Sequence, residues 1–265
     1  MKWSYILFLP ALTSVAWALA TVLFRRRLTH AQVVLSLMLV LVAFASSVLA
    51  VFFRGKEGGL FIYDYMFEVV AMVCGPMYYI GICALTEPRS VSLKQRRVFF
   101  IPLLFIVGMT IGVWILGARR YELMCHALRE GTAIWIAGDT AWNFVLFWEH
   151  WLFPLLMIVV NFVLVLVSNR KVNLYQQRFN SFYAQDMQVP YIDSRQLNVL
   201  TWLFIPLSVA VFILVEMRPH YYKYWLIGCS VLLTLLQFIV GRFTYRLNYD
   251  ARHLAEYIRN KTDVK

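Results

Sequence analysis

Seven apolar segments, each long enough to cross a bilayer, constrain this chain more than any other feature. They fall at roughly 3–24, 31–53, 60–86, 98–117, 148–168, 197–217 and 222–244. A helix of about 20 apolar residues spans about 30 Å of hydrocarbon. Barrel strands alternate over about 10 residues, whereas these segments are apolar on every face. The pattern predicts an all-α polytopic membrane protein, a seven-transmembrane helix bundle. Composition agrees, with 61% hydrophobic and 15% charged residues. Too little polar surface remains to cover a soluble domain. Soluble enzyme, nucleic-acid-binding domain and disordered tail are excluded as whole-chain readings.

The net charge of +11 invites a nucleic-acid reading, but its placement says otherwise. Lys and Arg gather on the cytoplasmic side of membrane proteins. Assigning the connecting segments to alternate sides places 17 Lys and Arg on one side and 8 on the other. This bias predicts an N-out, C-in orientation, and an even number of spans would break it. The first segment carries Lys2 and Ala18-Leu19-Ala20, which resembles a signal-peptide cleavage site. The apolar run continues to Phe24, however, and its strong charge, Arg25-Arg26-Arg27, lies after it. An uncleaved anchor is therefore expected.

The domain reading is a seven-span unit over 1–245 and a basic amphipathic cytoplasmic tail over 246–265. The inner connection 169–196 is polar and aromatic, which predicts a short helix on the membrane surface. The outer connection 118–147, with Trp135 and Trp142, reads as an interfacial cap. Cys74, Cys83, Cys125 and Cys229 form no framework and no CxxC. Cys125 has no obvious partner in its segment.

Ionisable groups inside a membrane are costly and are functional candidates by default. Asp64 and Glu68 lie one helical turn apart, near the outer end of the third segment. Glu216 sits near the outer end of the sixth, followed by Arg218 and His220. Two readings are open. These three acids could line an outward-facing ligand site for a cation or polar molecule. Alternatively they sit at headgroup level, hydrated or paired with Arg54, Lys56 or Arg218, and their place at span ends favours this. Asn161 and Gln237 are deeper, and helix–helix hydrogen bonding is the simpler account of them.

Gly75-Pro76 is the hinge candidate, because proline frees a backbone carbonyl and glycine removes support beside it. Gly108 and Gly112 form a GxxxG pattern, a weak dimer signal when alone. Glu122, His126, Glu149 and His150 share the outer side but match no tight metal motif. Neither metal nor cofactor is expected. Trp148, Trp151, Tyr221, Tyr222, Tyr224 and Trp225 suit an outer aromatic belt. The chain has no HExxH, GxSxG or GxxxxGK[ST], and no lysine deep in its last segment for retinal. An enzyme is not expected. With no internal repeat and few midplane polar groups, a small transporter or channel ranks second, beside a membrane enzyme of unrecognised type. In the tail, Leu247, Ala251, Leu254 and Ile258 recur at helical spacing. That stripe would pair with a second copy or lie on anionic lipid.

Some motifs carry a family resemblance. Gly75-Pro76-Met77-Tyr78-Tyr79-Ile80, Leu85-Thr86 and Phe99-Phe100-Ile101-Pro102 form one group. Phe179-Asn180-Ser181-Phe182-Tyr183 and Leu200-Thr201-Trp202-Leu203 form another. Over about 60 to 245, the chain resembles the membrane region of multi-span AraC-type transcriptional regulators of Bacteroidetes. In that family a cytoplasmic helix-turn-helix domain follows a membrane sensor or tether. Only 20 residues follow Tyr245 here, so DNA binding is not carried over. The resemblance implies a bacterial inner-membrane sensor or signalling module. Its partners would be the lipid bilayer, a cytoplasmic regulatory protein and a second copy of the chain.

Overall fold

A computed structural model describes residues 3–25, 28–54, 60–87, 93–130, 132–183, 202 and 222–247. Every regular element among them is helical. A 3-10 turn, Trp3–Phe8, leads into α1, Leu9–Phe24, followed by α2, His30–Arg54, and α3, Leu60–Thr86. A short α4, Leu93–Arg96, precedes α5, Phe100–Leu116, and α6, Ala118–Glu130. Then come α7, Thr140–Phe147, a π-helical turn, Trp148–Leu152, α8, Phe153–Tyr183, and α9, Tyr222–Arg246. Six helices among the described residues are long and apolar enough to cross a membrane. They match six of the seven expected segments. The seventh, 197–217, lies outside the described residues except for Trp202, as do Glu216 and the tail beyond Leu247.

Two expectations about connections are corrected. Residues 169–183 do not form a separate surface helix, because α8 runs unbroken from Phe153 to Tyr183. Its polar C-terminal part is helical by continuation from the apolar part, which carries the nucleation cost. The fifth spanning segment also begins earlier than expected, at Thr140. There α7 feeds through the π turn into α8.

α1, α3, α8 and α9 run toward the same end of the bundle, from which α2 starts, so the bundle has two unlike ends. Arg25, Arg97, Lys171 and Arg246 mark the basic end, where α1, α3 and α9 finish and α2 starts. Asp64, Glu68 and Glu149 mark the opposite, acidic end. Two apolar interiors fill the bundle. In the first, Leu35, Met38 and Leu39 of α2 pack with Ile82 and Leu85 of α3 and with Val240 of α9. In the second, Met72 of α3 and Met109 of α5 meet Tyr121 and Met124 of α6 and Leu146 of α7. Outward-facing Leu12, Leu23, Leu104 and Trp114 are exposed, a surface suited to lipid.

Glycines set the close approaches. A Cβ on Gly241 of α9 would overlap the base of Trp17 on α1, and one on Gly108 of α5 would overlap the Trp148 ring. A Cβ on Gly112 would lie 3.1 Å from Phe144. The GxxxG face of α5 therefore receives α7 and the π turn of its own chain, not a second copy. Trp148 is accordingly not a belt residue: it packs on Gly108 and Phe105.

Candidate functional site: a buried acidic cluster

The site forms where α3, α6 and the π turn meet. One helical turn between Asp64 and Glu68 brings both carboxyls to the face of α3 that packs on α6. After α5, the chain reverses at Gly117, whose φ of +84° favours glycine, and enters α6. This reversal turns Tyr121, Met124 and Cys125 inward, all three without exposed surface. The loop before α7 is fixed by its own hydrogen bonds. Asp139 accepts from the Trp142 backbone N–H at 3.1 Å, an N-cap. The Asn143 side chain bonds both backbone groups of Ile136, at 2.9 and 2.7 Å. The π turn then closes with the Phe153 N–H donating to the Trp148 carbonyl, five residues back. An extra residue in a helix turns side chains off their α-helical register, and here it carries Glu149 inward to 6% exposure.

The Tyr121 hydroxyl is the centre of the arrangement. It lies 2.5 Å from Glu149 Oε1 and 3.1 Å from Asp64 Oδ2. The Cys125 thiol donates to the same Asp64 oxygen at 3.6 Å. Glu68 is 2% exposed and within hydrogen-bonding reach of Glu149, while its Oε2 has no hydrogen-bond partner among the described residues. As a residue Asp64 keeps some exposed surface, whereas Glu68 and Glu149 are buried. Burial, then the nearby Glu149 and Asp64, push the Tyr121 hydroxyl well above its ordinary pKa. Burial, with Asp64 next, pushes the Cys125 thiol up in the same way. Both therefore stay protonated and act as hydrogen-bond donors.

The ionisable groups acting on the cluster among the described residues are the carboxyls Asp64, Glu68 and Glu149, beside the neutral donors Tyr121 and Cys125. On this side Arg120 pairs with Asp139 and Arg119 is exposed. An uncompensated carboxylate in such a place costs several kcal/mol or more. The arrangement can hold protons, or accept a small cation, to balance that charge.

The two sequence-predicted acids of α3 are thus brought together on the face that packs against α6. Glu68 is closed off from water and faces other acids. Arg218, Lys56 and the Arg54 side chain, suggested as their partners, lie outside the described residues, as does Glu216. Glu149, Tyr121 and Cys125 complete the site and were not singled out as its members. The one signal for Glu149 was an acid inside a run of aromatic and aliphatic residues. No group of His, Cys, Asp and Glu among the described residues is arranged as a metal site, and His150 stacks edge-on against Trp151.

The hinge candidates lie about two to three turns from the cluster's acids on the same helix. Pro76 supplies no N–H to the carbonyl four residues back, yet α3 is helical throughout Leu60–Thr86. Gly75 lets α8 come close: a Cβ there would sit 2.5 Å from Asn161 Oδ1. Asn161 is buried against α3 at this point, in keeping with its expected role between helices. Comparison of the chain with protein-family models, curated proteins and solved structures finds no match.

Proposed function

We propose that this chain is a membrane-embedded sensor or signalling module, in which the state of the acidic cluster is passed along α3 to the basic end. The supporting observation is that one helix carries both sites. α3 holds Asp64 and Glu68 near its start, and Glu87, which follows its last residue, is paired with Lys171 of α8. Between them lie Gly75 and Pro76, where the helix lacks one backbone hydrogen bond and touches α8 through Asn161. A change in the cluster that tilts the first half of α3 would reach the Glu87–Lys171 pair through this deformable point. In the orientation given by the Lys and Arg bias, the cluster faces outside and the pair faces the cytoplasm. The resemblance to the membrane region of AraC-type regulators supports a bacterial inner-membrane setting and a cytoplasmic regulatory partner.

The test uses spin labels at two exposed basic-end positions, Arg96 and Arg170, in the full chain in nanodiscs. Glu149→Gln and Asp64→Asn should shift the distance distribution between the labels. An unchanged distribution in both variants sinks the proposal. Transport is the second reading, supported by the same buried acids within membrane-length helices. Uptake of a cation into proteoliposomes that disappears in Asp64→Asn or Glu68→Gln would favour it over the sensor.

A further inference from the structure

We propose that Asp64, Glu68 and Glu149 form a proton-binding site, so that the ligand this module reads is the proton activity of the water at its acidic end. This deepens the sensor reading and rests on it only for the purpose of the site. The first argument is hydrogen accounting. The Tyr121 hydroxyl has one hydrogen and two carboxyl neighbours, Glu149 Oε1 at 2.5 Å and Asp64 Oδ2 at 3.1 Å. That hydroxyl cannot donate fully to both, so it either shares its hydrogen between them or accepts one from a carboxyl. Glu68 and Glu149 lie within hydrogen-bonding reach of each other, and two carboxyls so placed share a proton because two like charges do not settle side by side. A second, independent observation points to a ligand. Glu68, 2% exposed, aims into the group with Oε2 unpartnered among the described residues, a vacant acceptor in the interior.

Among the described residues, the titratable groups that act on the site come from three elements. α3 gives Asp64 and Glu68, α6 gives Tyr121 and Cys125, and the π turn gives Glu149. None of these is basic. What faces the carboxyl oxygens from α6 is a pair of hydrogen donors, the Tyr121 hydroxyl and the Cys125 thiol. A metal ion would instead need lone pairs converging on one point. On loading, a hydronium ion at the acidic end gives its proton to a carboxylate oxygen and leaves as water. Only O–H bonds form and break. Asp64, which as a residue keeps some exposed surface, is the entry, and Glu68 and Glu149 are the inner stations.

Difference infrared spectroscopy of the full chain in nanodiscs, titrated with acid and base, reads this directly. The expected result is a protonated-carboxyl C=O absorption at neutral pH that shifts in D2O. It should disappear reversibly as pH is raised and lose part of its intensity in Glu68→Gln and in Glu149→Gln. No such absorption in the wild-type chain overturns the proposal, and that measurement needs no variant to fold. An absorption of full intensity in both variants also overturns it. So does a carboxylate signal at neutral pH that moves only when sodium or calcium is added at fixed pH, which would make the site one for a metal cation. The spin-label distances keep the two readings apart. A titrating site with an immobile basic end leaves the proton site standing and removes the sensor.

Discussion

α3 meets a glutamate problem twice and solves it in two ways. Near its start, Glu68 is closed off from water, beside two more acids and a tyrosine, with no basic residue acting on it among the described ones. Just past its end, Glu87 is paired with Lys171, accepts from Gln95 Nε2 at 2.6 Å and lies under partial solvent exposure. The Lys171 ammonium also sits 5.9 Å from the centre of the Tyr79 ring, a cation–π contact. At the basic end, charge is balanced by a fixed opposite charge at a span terminus, where water helps. At the acidic end, no fixed basic partner acts on the acids among the described residues, and balance comes from something mobile. A fixed partner makes an anchor, whereas a mobile one makes a site whose state can change.

The contrast can be broken most forcefully at Tyr121. Tyr121→Ala removes a fully buried ring and the hydroxyl between two carboxyls, and should cost roughly 3–5 kcal/mol. Unfolding in mixed micelles would measure it, and a loss below about 1 kcal/mol would show that the cluster is not a unit. Gly108→Val comes next. Its new side chain meets the Trp148 ring, which leads straight to Glu149, and overpacking of this kind costs about 1–3 kcal/mol. The same variant should disturb the carboxyl infrared signal, tying the glycine face to the site.

The pH dependence sharpens the comparison with a sign. A proton kept by the folded cluster and given up by the unfolded chain makes stability fall as pH rises. That fall should flatten in Glu149→Gln and persist in Lys171→Met. Lys171→Met itself should cost no more than about 1 kcal/mol, since the pair is partly exposed. Added salt should weaken the Glu87–Lys171 pair and leave the cluster unaffected. The smallest effect concerns Cys125. Buried, and with its thiol pKa raised by burial and by Asp64, it should resist alkylation in the folded chain at mildly alkaline pH, while half-buried Cys229 reacts faster. Equal rates would mean that α6 does not close over the acids.

Much of the fold was legible because lipid imposes a simple rule on sequence. Spans must be long and apolar, so α2 and α3 were placed to within a few residues. Helix-start chemistry is also present in the letters: Thr29 and Gln32 bond each other's backbone N–H at 3.2 and 2.9 Å, a capping box. The same Gln32 reaches the Thr244 carbonyl at 3.1 Å, a contact across the bundle that no local pattern announces. The site was half legible for the same reason. Asp64 and Glu68 are neighbours by helical spacing, whereas Glu149 joins them only through the fold, across the reversal at Gly117 and the π turn. Residues 118–130 hid their role because a polar amphipathic stretch looks like a surface cap until Tyr121 and Cys125 are seen pointing inward. The glycines of α5 misled in the opposite way, since a small-residue face shows only that something comes close, not what.

The π turn at Trp148–Leu152 has a consequence for how such a site could come and go in a lineage. An α-helix advances by about 100° per residue. Deleting a single residue from the turn would restore an ordinary helix and swing Glu149 by that angle, away from Tyr121 and toward a different neighbour. The same swing would carry Trp148 off Gly108 and Phe144 off Gly112, so the third acid and the packing of α7 on α5 depend together on one inserted residue.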